Sequence, residues 1–281
     1  MNVHLSHNTY GKHHVRISKI KRHSDDAANH EFIEATINVM LEGDLAEGYT
    51  AGNNANIVAT DTCKNTVYVL AKDDPFDSIE SFGSNLATHF LTQYAHLNQA
   101  TIEIHQHVWQ RIGDCPHGFV GGTNESPTTT IVAHREQSLS VCSGLTDLVV
   151  AKTTESGFAN FHRDEFRTLP DTDDRIMATS VTAQWNYSSS DIDFNAARDS
   201  IRKALLVSFL DHYSHSVQET LMRMGTAAIE ACSHVTDITL SLPNKHHILF
   251  NLQPFGKENN NDVFVVTDDP FGYIQATVSR D

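Results

Sequence analysis

The sequence predicts an α+β protein made of two tandem units, each an antiparallel sheet with helices packed on one of its faces. Short segments alternate apolar with polar residues, which is the period of a half-buried strand. Longer segments place apolar residues every three or four positions, which is the period of an amphipathic helix. The order of strands, helix and strands occurs in each half of the 281-residue chain, so we expect a duplicated architecture.

The first half is predicted to contain four strands and one long helix. The strands carry alternating apolar residues at Val15 and Ile17, at Ala35, Ile37, Val39 and Leu41, at Val67 and Val69, and at Ile102, Ile104 and Val108. The helix carries its apolar residues at Ile79, Phe82, Leu86, Phe90, Tyr94 and Leu97. Asp77 and Glu80 have the spacing of a capping box, so we expect the helix to begin beside them.

The second half is predicted to repeat this order with two helices. Strands are expected at Leu148–Val150 and at Ile176–Trp185. The two helical stretches are separated near Ser216 and carry Phe194, Ala197, Ile201, Leu205 and Phe209, then Val217, Leu221, Met224, Ala228 and Cys232. Further strands are expected at Ile238, Leu240 and Leu242, at Ile248, Phe250 and Leu252, at Val263 and Val265, and at Ile274, Ala276 and Val278.

The junction between the halves is expected between His117 and Arg135, where glycines, Pro127 and a run of threonines interrupt the periodic pattern. We therefore predict one unit over residues 1–125 and a second over 126–281. A single sheet with helices on one face leaves its edges and its other face open to water. Pairing the two units and closing the sheet with other subunits covers both, so the pattern predicts an oligomer.

Charge and hydropathy exclude two classes of partner. The formal net charge is -15, and the 20 Lys and Arg residues form no long basic run, so the chain would repel nucleic-acid phosphates. No apolar stretch approaches the roughly 20 residues of a membrane helix. The amino terminus lacks the order of a signal peptide, and the sequence ends Ser279-Arg280-Asp281 without a peroxisomal tripeptide. These features predict a cytoplasmic protein with no membrane partner.

Cysteine and histidine usage gives no strong metal signature. The four cysteines are scattered without a CxxC pair, and we interpret them as small buried hydrophobic residues. The 18 histidines include His105 and His107, which would share one face of a strand. Neither an HExxH motif nor a Cys/His set accompanies them, so we predict no metal site.

Three segments are not explained by strand and helix patterns alone. They are Tyr10-Gly11-Lys12-His13-His14-Val15-Arg16, Val58-Ala59-Thr60-Asp61-Thr62-Cys63-Lys64-Asn65-Thr66 and Ser241-Leu242-Pro243-Asn244-Lys245-His246-His247. Each closely resembles a signature of the urate oxidase (uricase) family, and further matches in the same order extend over nearly the whole chain. The resemblance implies the tunnelling fold (T-fold), in which duplicated antiparallel units like those predicted above assemble into a barrel.

The resemblance also implies the reaction and its proton-transfer residues. Members of the family oxidise uric acid with O2 as co-substrate and release hydrogen peroxide, without a metal or an organic cofactor. Lys12 and Thr60 would form a catalytic dyad, in which a desolvated amine accepts the proton of a hydroxyl that is a weak base by itself. His246 would extend the proton relay, because an imidazole exchanges protons near neutral pH.

Substrate-binding roles follow from the same resemblance. Phe158 would stack on the purine face, and Arg175 and Gln218 would hold the purine edge through in-plane donors. Ser216 would cap the following helix, leaving the Val217 amide directed at a urate oxygen. Besides Thr60, Asp61 would bind through its backbone, Asn244 would hold O2 or water above the ring, and Ile274 would line the pocket.

The family pattern places Lys12, Thr60 and Asp61 on one subunit and the remaining site residues on its neighbour, in a homotetramer. Near Phe158 the sequence departs from many relatives, with Ala159, Asn160, Phe166 and Arg167 in place of a more aromatic stretch followed by Tyr-Thr-Thr-Leu.

Two alternatives to a urate oxidase stay open on sequence grounds. One is a zinc-dependent purine or pterin hydrolase of the same fold, and the other is a purine-binding protein without catalytic activity.

Overall fold

The structure is a computed structural model that describes residues 3–22, 29–122 and 124–281. The described residues form twelve strands and five α-helices, arranged in two compact units. The first unit is Met1–Gly144 with Ser189–Asn195, and the second is Leu145–Ser188 with Ala196–Asp281. The first two residues, considered above for a signal peptide, lie outside the described residues. None of the helices in the described ranges is long and apolar enough to cross a membrane.

The first unit is built on an antiparallel sheet. Its strands are β1 (Tyr10–Arg22), β2 (His30–Gly43), β3 (Leu97–His107), and β6 (Ser126–His134), with each strand paired to the next in that order. A separate small hairpin consists of β4 (Trp109–Arg111) and β5 (Phe119–Gly121). The strand predicted from Ala35 to Leu41 is confirmed, because these alternate side chains of β2 are fully buried. Each such aliphatic side chain contributes about 1.5–3 kcal/mol on burial.

Helices α1 (Ala46–Thr50), α2 (Thr60–Asp73) and α3 (Ile79–Gln93) complete the first unit. Helix α3 packs on β3 and β6, as its apolar stripe predicts. The predicted cap was wrong by one residue, since Ser78 caps the helix in a reciprocal capping box with Ser81. Glu80 is instead buried and accepts a hydrogen bond from Ser143. The helix also ends before Leu97, which begins strand β3.

The predicted strand at Val67 and Val69 was wrong, because both residues lie in helix α2, which packs on β1. The buried side chains of α2 are Cys63, Val67 and Ala71, spaced four residues apart, whereas Val69 is exposed. Two alternating valines are too short a pattern to distinguish a strand from a helix. The four-residue spacing was the signal that identifies the helix.

The threonine run that we interpreted as a junction lies in strand β6, which pairs with β3 from His105 to Gln99. Thr128 and Thr129 are buried there, as β-branched residues often are in sheets. The compact units meet at Gly144 and Leu145, within strand β7 (Ser140–Lys152). The boundary that we predicted between residues 125 and 126 separates the two repeats of the sequence pattern, and it stays a prediction.

The second unit contains the paired antiparallel strands β8 (Met177–Tyr187), β9 (Val235–Ser241) and β12 (Gln275–Ser279). Helix α4 (Phe194–Leu210) and helix α5 (Val217–Ala231) confirm the two predicted helical stretches, and α5 packs on β9 and β12. The unit's core is one cluster of buried side chains, which includes Trp185, Phe209, Leu221, Met224 and Ile238. This core fixes the start of α5 relative to the strands.

A two-stranded arm forms the remainder of the second unit. Strands β10 (His246–Leu249) and β11 (Phe264–Thr267) pair with each other, and a 3₁₀ helix follows β10 at Gln253–Phe255. The strand predicted through Phe250 and Leu252 is therefore shorter than expected. Many apolar side chains of the arm and its loops are exposed in the isolated chain, among them Ile248, Leu249, Phe255, Val263, Val265, Val266 and Phe271.

Candidate functional site

A cavity of about 400 Å³ lies in the second unit. This volume suits one small aromatic ligand. The residues that line it include seven for which the sequence predicts a role at the substrate: Phe158, Arg175, Val217, Gln218, Asn244, His246 and Ile274. The structure thus brings together residues from five separate parts of the chain around one space.

Phe158 and Arg175 are held near each other by main-chain hydrogen bonds. The amide of Phe158 donates to the carbonyl of Thr172 at 2.7 Å, and the Thr172 amide donates back at 3.0 Å. The amide of Arg175 donates to the Ser156 carbonyl at 2.8 Å. These bonds close the loop between Phe158 and Thr172 and place the Arg175 guanidinium carbon 5.3 Å from the centroid of the Phe158 ring.

The Arg175 side chain is the most informative group in the cavity. Its Nε is buried and has no hydrogen-bond partner among the residues that the structure describes. Desolvation lowers the pKa of the guanidinium, although the group stays protonated at neutral pH. A buried donor without an acceptor is costly, so the site is suited to a ligand that brings an anionic acceptor to the half-buried Arg175.

The start of helix α5 supplies the next wall of the cavity. Ser216 caps the helix and accepts a hydrogen bond from the Glu219 amide at 3.1 Å, which confirms the predicted cap. The amides of Val217 and Gln218 belong to the first turn, where a helix offers no internal acceptor and carries the positive end of its dipole. This end of α5 is therefore suited to bind an oxygen atom with negative charge.

Ser214 joins the helix start to the loop of Phe158, a connection that the sequence did not predict. The Gly157 amide donates to the Ser214 carbonyl at 2.8 Å, and the Ser214 amide donates to the Glu155 carbonyl at 2.9 Å. Ser214 is completely buried, and its hydroxyl accepts a hydrogen bond from Thr220 of α5. The loop that carries Phe158 and the first turn of α5 are thus both hydrogen-bonded to Ser214 or to its neighbours.

Asn244 and His246 lie in the segment that connects β9 to the arm. The Asn244 amide donates to the Gly272 carbonyl at 2.9 Å, and the Lys245 amide donates to the Ala178 carbonyl at 2.9 Å. His246 begins β10, opposite Thr267. The segment is therefore anchored on both sides, so the side chains of Asn244 and His246 occupy defined positions at the cavity.

Lys12, Thr60 and Asp61 lie in the first unit. Lys12 is partly buried on β1, directly before the bulge that separates it from Val15 in the pairing with β2. The bulge includes His14, which has a φ of 57° and whose amide donates to the Asn38 side chain at 2.8 Å. Irregular strands of this kind direct a side chain away from the regular alternation.

Thr60 and Asp61 begin helix α2 and are exposed in the isolated chain. Ala59 precedes them and offers no side-chain cap, so the first amides of α2 are available to a ligand. The Asp61 carboxylate contacts Lys64 and accepts from Asn65 at 3.0 Å. The Lys64 hydrogen bond is the main cause that lowers the pKa of Asp61, with a smaller contribution from the charge of Lys12.

Tyr10 connects these residues and was not predicted to have a role. Its phenolic oxygen accepts a hydrogen bond from the Val58 amide at 2.7 Å, and burial raises the pKa of Tyr10 to about 12. Tyr10 precedes Lys12 by two residues on β1, and Val58 precedes Thr60 by two. The bond therefore ties the strand of Lys12 to the start of the helix of Thr60.

The histidines were also considered as metal ligands. Among residues 3–22, 29–122 and 124–281, no group of three or more His, Cys, Asp or Glu side chains is arranged to hold a metal ion. His107 instead shares a 2.8 Å hydrogen bond with Thr36 of the neighbouring strand. The absence of a metal or cofactor from the protein stays a prediction.

Comparison with known proteins identifies the family of this chain. A family model described as Uricase matches residues 8–132 and 141–275. The uricase of Arthrobacter globiformis is 40% identical over 99% of this chain and 90% of its own length. The uricase of Dictyostelium discoideum is 36% identical over 98% of this chain and 97% of its own length.

Solved structures give the same result. A crystal structure of the Arthrobacter globiformis uricase has a TM-score of 0.96, with 40% identity, and covers all of this chain and 96% of its own. The urate oxidase of Bacillus sp. TB-90, at 20% identity, has a TM-score of 0.85 over 97% of this chain and all of its own, which supports the fold alone. The predicted α+β tunnelling fold is confirmed, and the chain belongs to the uricase family.

Proposed function

We propose that this protein is a urate oxidase that converts uric acid, O2 and water to 5-hydroxyisourate and hydrogen peroxide without a cofactor. The observation that carries the proposal is the cavity of the second unit, where Phe158 and the Arg175 side chain, whose Nε is buried without a hydrogen-bond partner among the described residues, meet the start of helix α5. An aromatic face, a cation and helix amides complement a flat, oxygen-rich anion. Membership of the uricase family supports the same substrate.

In the proposed complex, urate stacks on Phe158. Arg175 donates to acceptors on one edge of the purine, and its planar guanidinium suits a pair of them. Gln218 and the Val217 amide bind the adjacent edge, and Asp61 contacts the ligand through its backbone amide. Asn244 holds O2, and later the attacking water, above the ring.

In the proposed reaction, Lys12 accepts a proton from Thr60, which removes a proton from a urate nitrogen, and His246 carries protons to and from the relay. The deprotonated ring gives two electrons to O2, which leaves as hydrogen peroxide after taking up two protons. Water then adds to the oxidised ring, its hydroxyl group to the ring carbon and its remaining proton to a ring nitrogen, giving 5-hydroxyisourate. Electrons pass directly from substrate to O2, so the protein's tasks are orientation and proton transfer.

We further propose that the active site is shared between subunits of a homotetramer. Lys12, Thr60 and Asp61 of one subunit would meet the cavity of its neighbour, and the sheets would close into a barrel. The exposure of Thr60 and Asp61 and the many exposed apolar side chains of the β10–β11 arm support an assembly that covers both. The cytoplasmic location expected from the sequence is likewise a proposal.

One experiment tests the function against its alternatives. Metal-stripped protein is incubated with urate while urate absorbance, O2 uptake and peroxide are followed together. A urate oxidase consumes O2 and forms peroxide in equal amounts with urate loss, and zinc has no effect. Urate loss without O2 uptake that depends on added zinc would identify the hydrolase, and urate binding without turnover would identify the non-catalytic protein.

Tyr10→Phe is expected to lower kcat about tenfold while KM changes little. The Val58 amide loses its acceptor, which costs about 1–3 kcal/mol of the free energy of unfolding, and the start of α2 loses its tie to β1. Small misplacements of reacting groups can lower rates strongly, which is why the effect is expected in kcat. Steady-state kinetics and denaturant unfolding measure the two effects.

Tyr68→Phe is the matched control for this variant. Tyr68 also joins α2 to β1, because its hydroxyl donates to the Arg16 carbonyl at 3.0 Å, but it is exposed and more distant along the helix from Thr60. We expect this control to keep the wild-type kcat. Equal kcat values for Tyr10→Phe and the wild type would contradict the role of Tyr10.

A further inference from the structure

A second aromatic ring lies against Phe158. The rings of Phe158 and Phe161 are stacked, with centroids 4.6 Å apart and planes inclined by 9°. Phe158 lines the cavity, whereas Phe161 does not. Phe161 therefore supports the Phe158 ring from outside the cavity wall, whereas the Arg175 guanidinium, which lies 5.3 Å from the centroid of the Phe158 ring, lines the cavity with it.

Arg167 extends this stack on the outer side. Its guanidinium carbon lies 4.2 Å from the centroid of the Phe161 ring, which is the geometry of a cation–π contact. Its terminal nitrogen donates to Asp171 at 2.6 Å, and its Nε donates to the Leu169 carbonyl at 3.0 Å. Arg167 is one of the positions at which the sequence departs from many relatives. Its side chain is largely buried, although the adjacent residues Phe166 and Thr168 are exposed.

The loop is closed at its base, so these contacts act on the cavity. The paired main chains of Phe158 and Thr172 join its ends, and Leu169 belongs to the cavity wall. Arg167 holds both Phe161, through its ring, and the wall, through the Leu169 carbonyl. A change in this contact would therefore alter the tilt of Phe158 and the shape of the wall together.

We propose that Phe161 and Arg167 are positioning residues for the purine, acting through Phe158. This inference rests on the proposed function. A single phenyl ring at a loop can tilt, and each orientation that is not parallel to the purine loses stacking energy. Phe161 restricts that tilt from behind, and Arg167 holds Phe161 in place. Neither residue touches the substrate or takes part in proton transfer.

The test compares loop variants in the full-length protein. Phe161→Ala is expected to raise KM for urate about 2- to 12-fold while kcat stays within about twofold, because an aromatic pair is worth about 0.5–1.5 kcal/mol beyond burial. Phe161→Tyr keeps the ring and is expected to restore the wild-type KM. Arg167→Ala is expected to raise KM about threefold, with no additional effect when combined with Phe161→Ala.

Two further variants separate the effect of ring stacking from a general disturbance of the loop. Phe166→Ala is the control, because Phe166 lies in the same loop but is 83% exposed and should leave KM unchanged. Phe161→Leu preserves most of the packing volume without a stacking ring, so a raised KM in this variant supports stacking even if Phe161→Ala does not fold. A wild-type KM for Phe161→Leu overturns the proposal.

Anaerobic binding separates this inference from the proposed function. Urate is titrated into each variant without O2, so that Kd is obtained without turnover. An oxygen-consuming wild type together with a Phe161→Ala variant of unchanged Kd refutes the positioning role alone. A wild type that consumes no O2 with urate refutes the proposed function itself.

Discussion

Lys12→Ala and Thr60→Ala are each expected to lower kcat by a factor of about 10²–10⁴, the range for loss of a positioned acid–base group. The proposed dyad works as a unit. Thr60 needs an acceptor for its proton, and Lys12 receives the proton of the substrate through Thr60. The double variant is therefore expected to be no slower than the worse single variant. Steady-state O2 uptake with urate measures all three.

The controls for the dyad keep residue type and element constant. Lys21→Ala changes a lysine at the far end of β1, where it pairs with Glu31, and Thr66→Ala changes a threonine of α2 that donates to the Thr62 carbonyl. Both are expected to retain activity. Light scattering should show the same assembly for every variant. Near-native kcat in both Lys12→Ala and Thr60→Ala would refute the dyad.

Arg175→Ala is expected to raise KM for urate about 30- to 4000-fold, because truncating one partner of a buried charge pair costs about 2–5 kcal/mol. Arg175→Lys keeps a cation but loses the planar pair of donors, so it should recover only part of the loss. Arg223→Ala is the control, since this exposed arginine of α5 pairs with Glu219 on the same helix. Unchanged KM in Arg175→Ala would remove the main support for the substrate.

Removal of the Arg175 guanidinium is expected to weaken urate binding but to stabilise the urate-free protein. Because its Nε is buried without an acceptor, Arg175→Met is expected to raise the Tm of the urate-free protein. Urate should raise the Tm of the wild type and leave that of the variant unchanged, since only a bound ligand stabilises the folded state. A lower Tm for urate-free Arg175→Met would show that the guanidinium is already satisfied without substrate.

Mixing two impaired variants tests the shared site. Subunits with Lys12→Ala lack the dyad, and subunits with Arg175→Ala lack the cavity cation, so homogeneous assemblies of either are expected to have little activity at a urate concentration near the wild-type KM. Joint refolding should restore a fraction of the activity, because some sites then combine the intact first unit of one subunit with the intact second unit of another. If mixed assemblies of normal size recover no activity, Lys12 and Arg175 would have to act from the same chain, and the shared site would be refuted.

Much of the fold could be predicted because local periodicity records which side of an element is buried. The alternating residues of β2 and the stripes of α3, α4 and α5 are examples, and each predicted the observed element. Prediction failed where the pattern was short or ambiguous. The pair Val67 and Val69 suggested a strand within α2, and the threonines of β6 suggested a loop.

The sequence by itself determined the class of fold, and through its motifs the family and the residues that we expect at the substrate. Only the tertiary structure decided how these residues are supported. The bond from Val58 to Tyr10, the link of Gly157 to Ser214 and the stack behind Phe158 join elements or loop segments whose approach no local pattern records. Burial without a partner, as at Arg175, is likewise a property of the folded environment. Periodicity reports which face is buried, whereas contacts depend on which distant segments the packed core brings together.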